Sequence, residues 1–276
     1  MAIQRVTSKW EKTNALLKND VLREYIPPTN RLTEDHLYAM LEQYNMVYVK
    51  PNKGTFGTGV LRIEKIPEGY QLQLGTALHH FASYADLFDK LRQLTHDRPY
   101  LIQRGIELLK HQSRRFDLRV MVQQSPRRQW ETTGIIGRLA HPRKIVTNYH
   151  SGGTPMSFEK LMTDHLSEAE QHRYLTMLKK LGVDIARQLQ TAYPNLKELG
   201  VDIAVDTEFK PWILEVNTMP DPYIFCKLRD KSTFRKVYRY ALAYGRFKRK
   251  IAASSSKRVP DKKEPYPHGG KQNRLK

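Results

Sequence analysis

One stretch, residues 200–220 (GVDIAVDTEFKPWILEVNTMP), constrains the fold of this chain more than any other. Val201, Ile203 and Val205 alternate with Asp202, Ala204 and Asp206, and Trp212, Leu214 and Val216 alternate with Ile213, Glu215 and Asn217. Such alternation predicts two strands, each with two different faces. Between them, residues 206–211 carry polar turn chemistry, and Pro211, with no N–H for a ladder, fits best at the very start of the second strand. Antiparallel pairing puts Asp202 and Glu215 on one face with Asn217 close by. Two carboxylates and an amide oxygen form a hard, all-oxygen cluster of the kind that suits Mg²⁺ together with phosphate oxygens and water. A solvated strand face fits the same residues, so the choice rests on what lies upstream.

Residues 46–50 (MVYVK) read as a strand that opens onto PNKGTFGTGV. Gly54, Gly57 and Gly59 sit close together there, and glycines let successive backbone N–H groups approach an anion. Lys50 at the strand end adds a positive charge. A strand, residues 60–65, follows the glycines, whereas a Walker A loop or a dinucleotide fingerprint needs a helix at that point. The residues therefore fit either a phosphate nest inside a hairpin or an ordinary glycine-rich turn.

The remaining elements alternate without a regular βα repeat. Ser8 with Glu11 opens a helix with the stripe Trp10, Leu16, Leu17, Val21, Leu22 and Tyr25, and Thr33 caps a second one. A strand at 70–74 precedes a helix opened by Ser83 and Asp86. Residues 100–103 read as a buried strand that leaves into a loop at 104–108. Residues 115–122 form a strand with Asp117 and Arg119 on one side, and the strand at 130–139 carries Arg138 near its end. Residues 145–148 lead into a loop with adjacent glycines, and Ser167 with Glu170 opens a long helix. This order is an α+β pattern.

Composition limits the function classes. Hydrophobic residues make up 39% of the 276, enough for a core, yet no apolar run reaches the ~20 residues of a membrane helix. The first residues lack the apolar centre of a signal peptide. A single cysteine, Cys226, excludes an intrachain disulfide and a cysteine–zinc cluster, and fits a reducing, cytoplasmic setting. The formal charge is +19, of which residues 246–276 supply +9 from eleven Lys or Arg and two acids. The body is moderately basic, compatible with a nucleotide, nucleic acid or an acidic polymer as partner.

Four segments in order, VYVKPNKGTFGTGV, YLIQRGIEL, FDLRVMV with TGIIGRLAHPRKIVTNYHSGG, and GVDIAVD with WILEVNTMP, resemble an ATP-grasp ligase. The chain looks closest to the spore-coat-associated YheC/YheD type, a likeness that includes YIPPT at 25–29 and runs over about residues 25–228. The resemblance implies two α+β subdomains gripping a nucleotide. It implies Lys50 on the phosphates, with Lys53, Gly54, Gly57 and Gly59 in a loop over them. Gln103, Arg104, Gly105 and Ile106 would hold adenine. Arg138 and Asn148 would face the transferred phosphoryl group. Asp202, Glu215 and Asn217 would hold one or two Mg²⁺ ions, which Mn²⁺ could replace, and Asp117 and Arg119 would position the site. The implied reaction joins a carboxylate to an amine or thiol through an acyl phosphate, with ADP and phosphate as products. The substrates are defined only by those groups.

Two departures temper that expectation. The second lysine that such enzymes are expected to place on the strand after the glycine loop is missing from YQLQL at 70–74, leaving Lys53 or Arg104 as substitutes. The 49 residues before Lys50 are also too few for a full preceding α/β domain. The expected organisation is a helical lead-in (1–45), an ATP-grasp domain (46–228), an aromatic and basic helix (229–251) and a disordered basic tail (252–276). The helix reads either as an aromatic stripe packed on the body or as a nucleic-acid face. The tail suits an acidic polymer or a coat or envelope protein. A nucleotide-binding structural protein of the spore coat, with weak or no chemistry, is the rival to the ligase.

Overall fold

Helices begin where the sequence supplies caps. In the computed structural model, which describes residues 2–96 and 98–247, Ser8, Thr33, Ser83 and Ser167 each accept a hydrogen bond from an N–H one turn ahead. Only Ser167 and Glu170 close a full reciprocal box. In chain order the elements are α1 (Lys9–Leu17), α2 (Asp20–Arg23), β1 (Thr29–Arg31), α3 (Glu34–Tyr44), β2 (Met46–Pro51), β3 (Leu61–Ile66), β4 (Gly69–Leu74), β5 (Ala77–Phe81), α4 (Tyr84–Thr95), β6 (Tyr100–Arg104), β7 (Lys110–His111), β8 (Arg114–Gln124), β9 (Trp130–Leu139), β10 (Thr154–Met156), α5 (Phe158–Met162), α6 (Glu168–Ala192), β11 (Glu198–Val205), β12 (Pro211–Asn217) and α7 (Ser232–Ala243).

Two antiparallel sheets organise these elements. The first runs β1-β6-β2-β3-β4-β5 and is backed by α3 and α4. Its core includes Leu37, Leu41, Val47, Ile63, Leu87 and Ile102, all essentially without solvent contact. The second runs β10-β9-β8-β11-β12, with β7 paired to β8. Its core forms against α6, where Leu178, Ile185 and Leu189 meet Val120, Val122 and Val201. Burying each such side chain stabilises the fold by roughly 1.5–3 kcal/mol. α7 covers part of the opposite face of β8 and β9, with Val237, Tyr240 and Ala241 buried.

β11 shows why the alternation of residues 200–206 matters. It lies between β8 and β12, and all eight of its residues are buried. Val201, Ile203 and Val205 enter the α6 core, while Ala204 packs with Ile106, Leu108 and Trp212 on the other side. Its register sets Asp202 opposite Glu215 on β12 and opposite Arg119 on β8.

The structure differs from the sequence reading in several places. The first helix does not continue to Tyr25: Asn19 caps a separate short helix, and Val21 is 67% exposed. β1, β5, β10 and α5 were not expected. β1 and β10 are three residues each, and the edge strand β5 (ALHHF) lacks a clean apolar alternation. The first 45 residues are woven into the body, with β1 paired to β6 and α1 packed on α6 and β12. Among the described residues no helix is long and apolar enough to cross a membrane. The expected tail, residues 252–276, lies outside the described residues.

Candidate functional site

The two sheets enclose a cleft of about 480 Å³. Lys50 enters it from the end of β2, and its Nζ donates to Gln103 Oε1 on the adjacent β6 at 2.6 Å. Burial lowers the Lys50 pKa from 10.5 to about 8, and the Glu215 carboxylate only partly opposes that. A second lysine arrives from an unexpected place. Lys9, the first residue of α1, reaches Gly54 O at 3.1 Å and Glu215 Oε1 at 3.5 Å. It thus links the glycine loop of one sheet to β12 of the other.

Neither substitute suggested by the sequence takes that place. Lys53 is exposed and does not line the cleft. Arg104 lines it, but its guanidinium stacks between Tyr44 and Trp212, 5.3 and 5.5 Å from the ring centroids. The available signal for Lys9 was its position next to the Ser8 cap, which fixes it at the start of a helix. Its distance in sequence from the glycines hid its role.

The glycine loop lies against the loop after β9. Phe56 O accepts from Ser151 Oγ at 3.0 Å, and the Phe56 ring meets His150 with centroids 4.4 Å apart. Gly57 has φ +74° and lies so close to Asn148 that an added Cβ would stand 2.9 Å from its Oδ1. Gly54 and Gly57 line the cleft, whereas Gly59 packs against Tyr100 away from it.

Four charged side chains form a buried lattice on the floor. Asp117 of β8 faces Arg138 of β9 in register and binds its guanidinium through both oxygens. Asp202 accepts from Arg119 Nε at 2.5 Å and Nη2 at 3.2 Å, and Arg138 Nη2 lies 3.1 Å from its Oδ2. Burial would raise the Asp202 pKa, but Arg119 and Arg138 outweigh it and hold the carboxyl below its usual range. Burial likewise opposes the charge of Arg138, and Asp117 and Asp202 override that effect. Asn148 lines the same cleft.

The expected metal ligands come together as the register requires. Asp202 and Glu215 are directly opposite, and Asn217 is two residues further along β12. Among the described residues, the only ion pair of Glu215 is with Lys9, and the Asn217 side chain has no protein hydrogen-bond partner. A carboxylate offers about four lone-pair sites, and the three guanidinium contacts of Asp202 leave one. No group of three or more Asp, Glu, His or Cys able to hold a metal occurs among the described residues. Two carboxylates and an amide oxygen nevertheless fit Mg²⁺, which takes few protein ligands when phosphates supply the rest.

The other end of the cleft is apolar. Ile106, Leu108 and Leu214 line it, and Gln103 Nε2 lies 3.5 Å from Leu214 O. Gly105 does not line it. Its N–H donates to Met46 O at 2.8 Å, and an added Cβ would collide with the Met46 side chain.

Two antiparallel sheets closing on a cleft, with lysines and a glycine loop facing paired carboxylates, define an ATP-grasp protein, a fold that implies ATP binding. More narrowly, the chain belongs to the YheC/D-like ATP-grasp family, whose model matches residues 2–247. It is 25% identical over 249 residues to the endospore coat-associated protein YheD of Bacillus subtilis (strain 168), covering 85% of this chain and 53% of YheD. With the endospore coat-associated protein YheC of the same organism it shares 21% over 217 residues, covering 77% of this chain and 59% of YheC. The chain thus spans a little over half the length of these curated relatives. Among solved structures, D-cycloserine synthetase DcsG superposes with a TM-score of 0.51 at 13% identity, over 86% of this chain and 69% of that one. That likeness concerns the fold.

Proposed function

We propose that this chain is an ATP- and Mg²⁺-dependent ligase that joins a carboxylate to an amine or thiol. The observation that carries the reading is the opposition, across one cleft, of Lys9, Lys50 and the glycine loop to Asp202, Glu215 and Asn217, with Arg138 and Asn148 beside them. In the first step a carboxylate oxygen of the substrate attacks the γ-phosphorus. The bond to the ADP oxygen breaks, and an acyl phosphate and ADP result. In the second step the amine nitrogen or thiol sulfur attacks the acyl carbon, phosphate leaves, and the nucleophile gives up its proton. Phosphoryl transfer needs mainly positioning and charge neutralisation. Lys9 and Lys50 hold the phosphates, with the N–H groups around Gly54 and Gly57 over them. Gln103, Arg104 and Ile106 border the base, and Arg138 with Asn148 orients the acyl phosphate. Asp202, Glu215 and Asn217 would hold Mg²⁺, which supplies neutralisation of the transferring phosphoryl charge. Residues 46–228 form the ATP-grasp unit in this reading, with α1 completing its site.

The test is release of ADP and phosphate with panels of carboxylates and amines, with and without Mg²⁺. Turnover that needs both substrates supports the ligase, and Glu215→Ala should abolish it while nucleotide-free protein keeps its wild-type melting temperature. A folded chain that binds no nucleotide at millimolar concentration overturns the reading.

A second reading has its own support. Arg119 and Arg138 are already neutralised by Asp117 and Asp202, which leaves less positive charge for a phosphoryl group than two free guanidinium groups would. In that reading the chain binds nucleotide with weak or no turnover and serves as a cytoplasmic, spore-associated structural component. Its basic C-terminal residues would then meet an acidic polymer or a coat protein. Nucleotide binding without acceptor-dependent turnover favours it.

A further inference from the structure

The ligase reading leaves the body of the carboxylate substrate undefined, and the cleft carries an observation about it. Seven large apolar side chains are exposed among the described residues, and four of them, Phe56, Tyr149, Met219 and Tyr223, line this one cleft. Proteins seldom gather exposed apolar groups on one rim without a ligand for them. The four come from three separate segments: the glycine loop, the loop after β9 and the chain after β12. Three of them have supporting partners. Phe56 leans on His150, Lys227 Nζ stands 5.4 Å from the Tyr149 ring centroid, and the Tyr223 ring lies 6.0 Å from that of Phe234. Their outer sides remain open, with Met219 70% and Tyr223 51% exposed.

The direction of β12 places this rim within the site. Leu214 borders the apolar end beside Gln103, Glu215 and Asn217 follow, and the chain then reaches Met219. At about 3.3 Å per residue of strand, the rim begins just past the last oxygen of the proposed metal site, opposite to the base end. Tyr149 is also the direct neighbour of Asn148. We infer that the carboxylate substrate has an aromatic or extended apolar body, which lies on this rim with its carboxylate turned towards Arg138 and Asn148. A phenyl or alkyl body would cover the exposed apolar surface there, which a small acid would leave in contact with water. This inference rests on the ligase reading.

The test titrates the whole chain, saturated with Mg²⁺ and ADP, with acetate, hexanoate and phenylacetate, and with the amines hexylamine and benzylamine. Hexanoate and phenylacetate should bind at least about tenfold more tightly than acetate. Tyr223→Ala and Met219→Glu, both at exposed positions where the fold loses little, should each cut that advantage to about threefold or less. Equal affinity across the acids, no binding of any of them, a preference shown only by the amines, or an advantage that survives both substitutions overturns the inference. A chain that binds no Mg-ADP overturns the ligase reading and this one with it, and a separate nucleotide titration distinguishes the two failures.

Discussion

In the ligase reading, Lys9 and Lys50 decide how nucleotide binding depends on charge. Lys9 holds the loop carbonyl of Gly54 and faces Glu215, so its ammonium is positioned before any phosphate arrives. Hydrogen bonds to charged groups contribute about 1.5–3 kcal/mol. Lys9→Met should therefore weaken Mg-ATP binding by roughly ten- to a hundredfold, measured by calorimetry, whereas Lys53→Met, at an exposed position off the cleft, should leave it unchanged within about twofold. Lys50 and Lys12, a buried residue of α1 whose Nζ donates to Val6 O at 3.2 Å, also set a pH dependence. Burial lowers both pKa values from 10.5 to about 8. Below pH 8 both lysines are charged, folded or unfolded. From about 8 to 10.5 the folded chain has released protons that the unfolded chain still holds, so the stability of the nucleotide-free protein should rise with pH across that window. ATP affinity should move the other way. Phosphates favour protonated Lys50, binding takes up a proton above pH 8, and affinity should fall by up to about tenfold per pH unit there. Titrations in buffers of different ionisation enthalpy would show the proton uptake, and a flat affinity between pH 7 and 9.5 would remove Lys50 from the phosphate site.

At the level of elements, the glycine loop and the loop after β9 pack together along the cleft, because Gly57 permits their close approach. Its φ of +74° disfavours any side chain, and a Cβ there would press on Asn148. Gly57→Ala should cost about 1–3 kcal/mol in the closed arrangement and raise the KM for ATP by about tenfold or more. The melting temperature should drop little, since the loop adds no core residue. Limited proteolysis, measured as the cutting rate within residues 53–59, should rise as the two loops lose contact. α7 illustrates the other kind of element. Tyr240 is its buried aromatic residue, with Oη donating to Glu131 at 2.7 Å, whereas Phe234 and Tyr238 are half-buried, and Lys236 and Arg239 lie over the Tyr240 ring.

Across the whole molecule, both ends of the described chain converge on one buried carboxylate. Glu198, at the start of β11, has no solvent contact. It accepts from Tyr244 Oη at 2.7 Å and Arg246 Nη1 at 2.6 Å, and Arg5 Nη2 lies 2.7 Å from its second oxygen. Arg5 also donates to Thr218 O beside the cleft. Removing one partner of a buried ionic cluster costs about 3–5 kcal/mol. Glu198→Ala should therefore lower the unfolding free energy measured by urea titration by about that amount, and a value within about 0.5 kcal/mol of wild type (the effect of an ordinary surface substitution) would mean that the cluster adds no net stability. Removal of residues 252–276 should leave the melting temperature and ATP affinity nearly unchanged, since every cleft residue lies before them. It should weaken binding to acidic polymers most at low salt, where exposed charges are least screened.

The sequence by itself determined what depends on near neighbours. Caps at Ser8, Thr33, Ser83 and Ser167 fixed helix starts, and the alternation of residues 200–206 marked β11. In β12 the expected alternation fails: the register shifts between Asp202 and Ile203, so Ile213 and Val216 both join the α6 core while Trp212 and Leu214 pack on the other side, and only tertiary pairing sets Glu215 opposite Asp202. Four motifs in order carried the fold family, because each needs a particular local shape. The tertiary structure alone decided what depends on contacts between distant segments. Lys9 enters the cleft because α1 packs between α6 and β12, more than 40 residues before the loop carbonyl it holds. Asp202 belongs to an ion lattice as well as facing Glu215, because β8 and β9 bring Arg119 and Arg138 to it. The apolar rim joins three segments that share no local pattern. Local sequence sets backbone shape within a few residues, whereas charge balance and cavity shape are sums over side chains that only folding brings together.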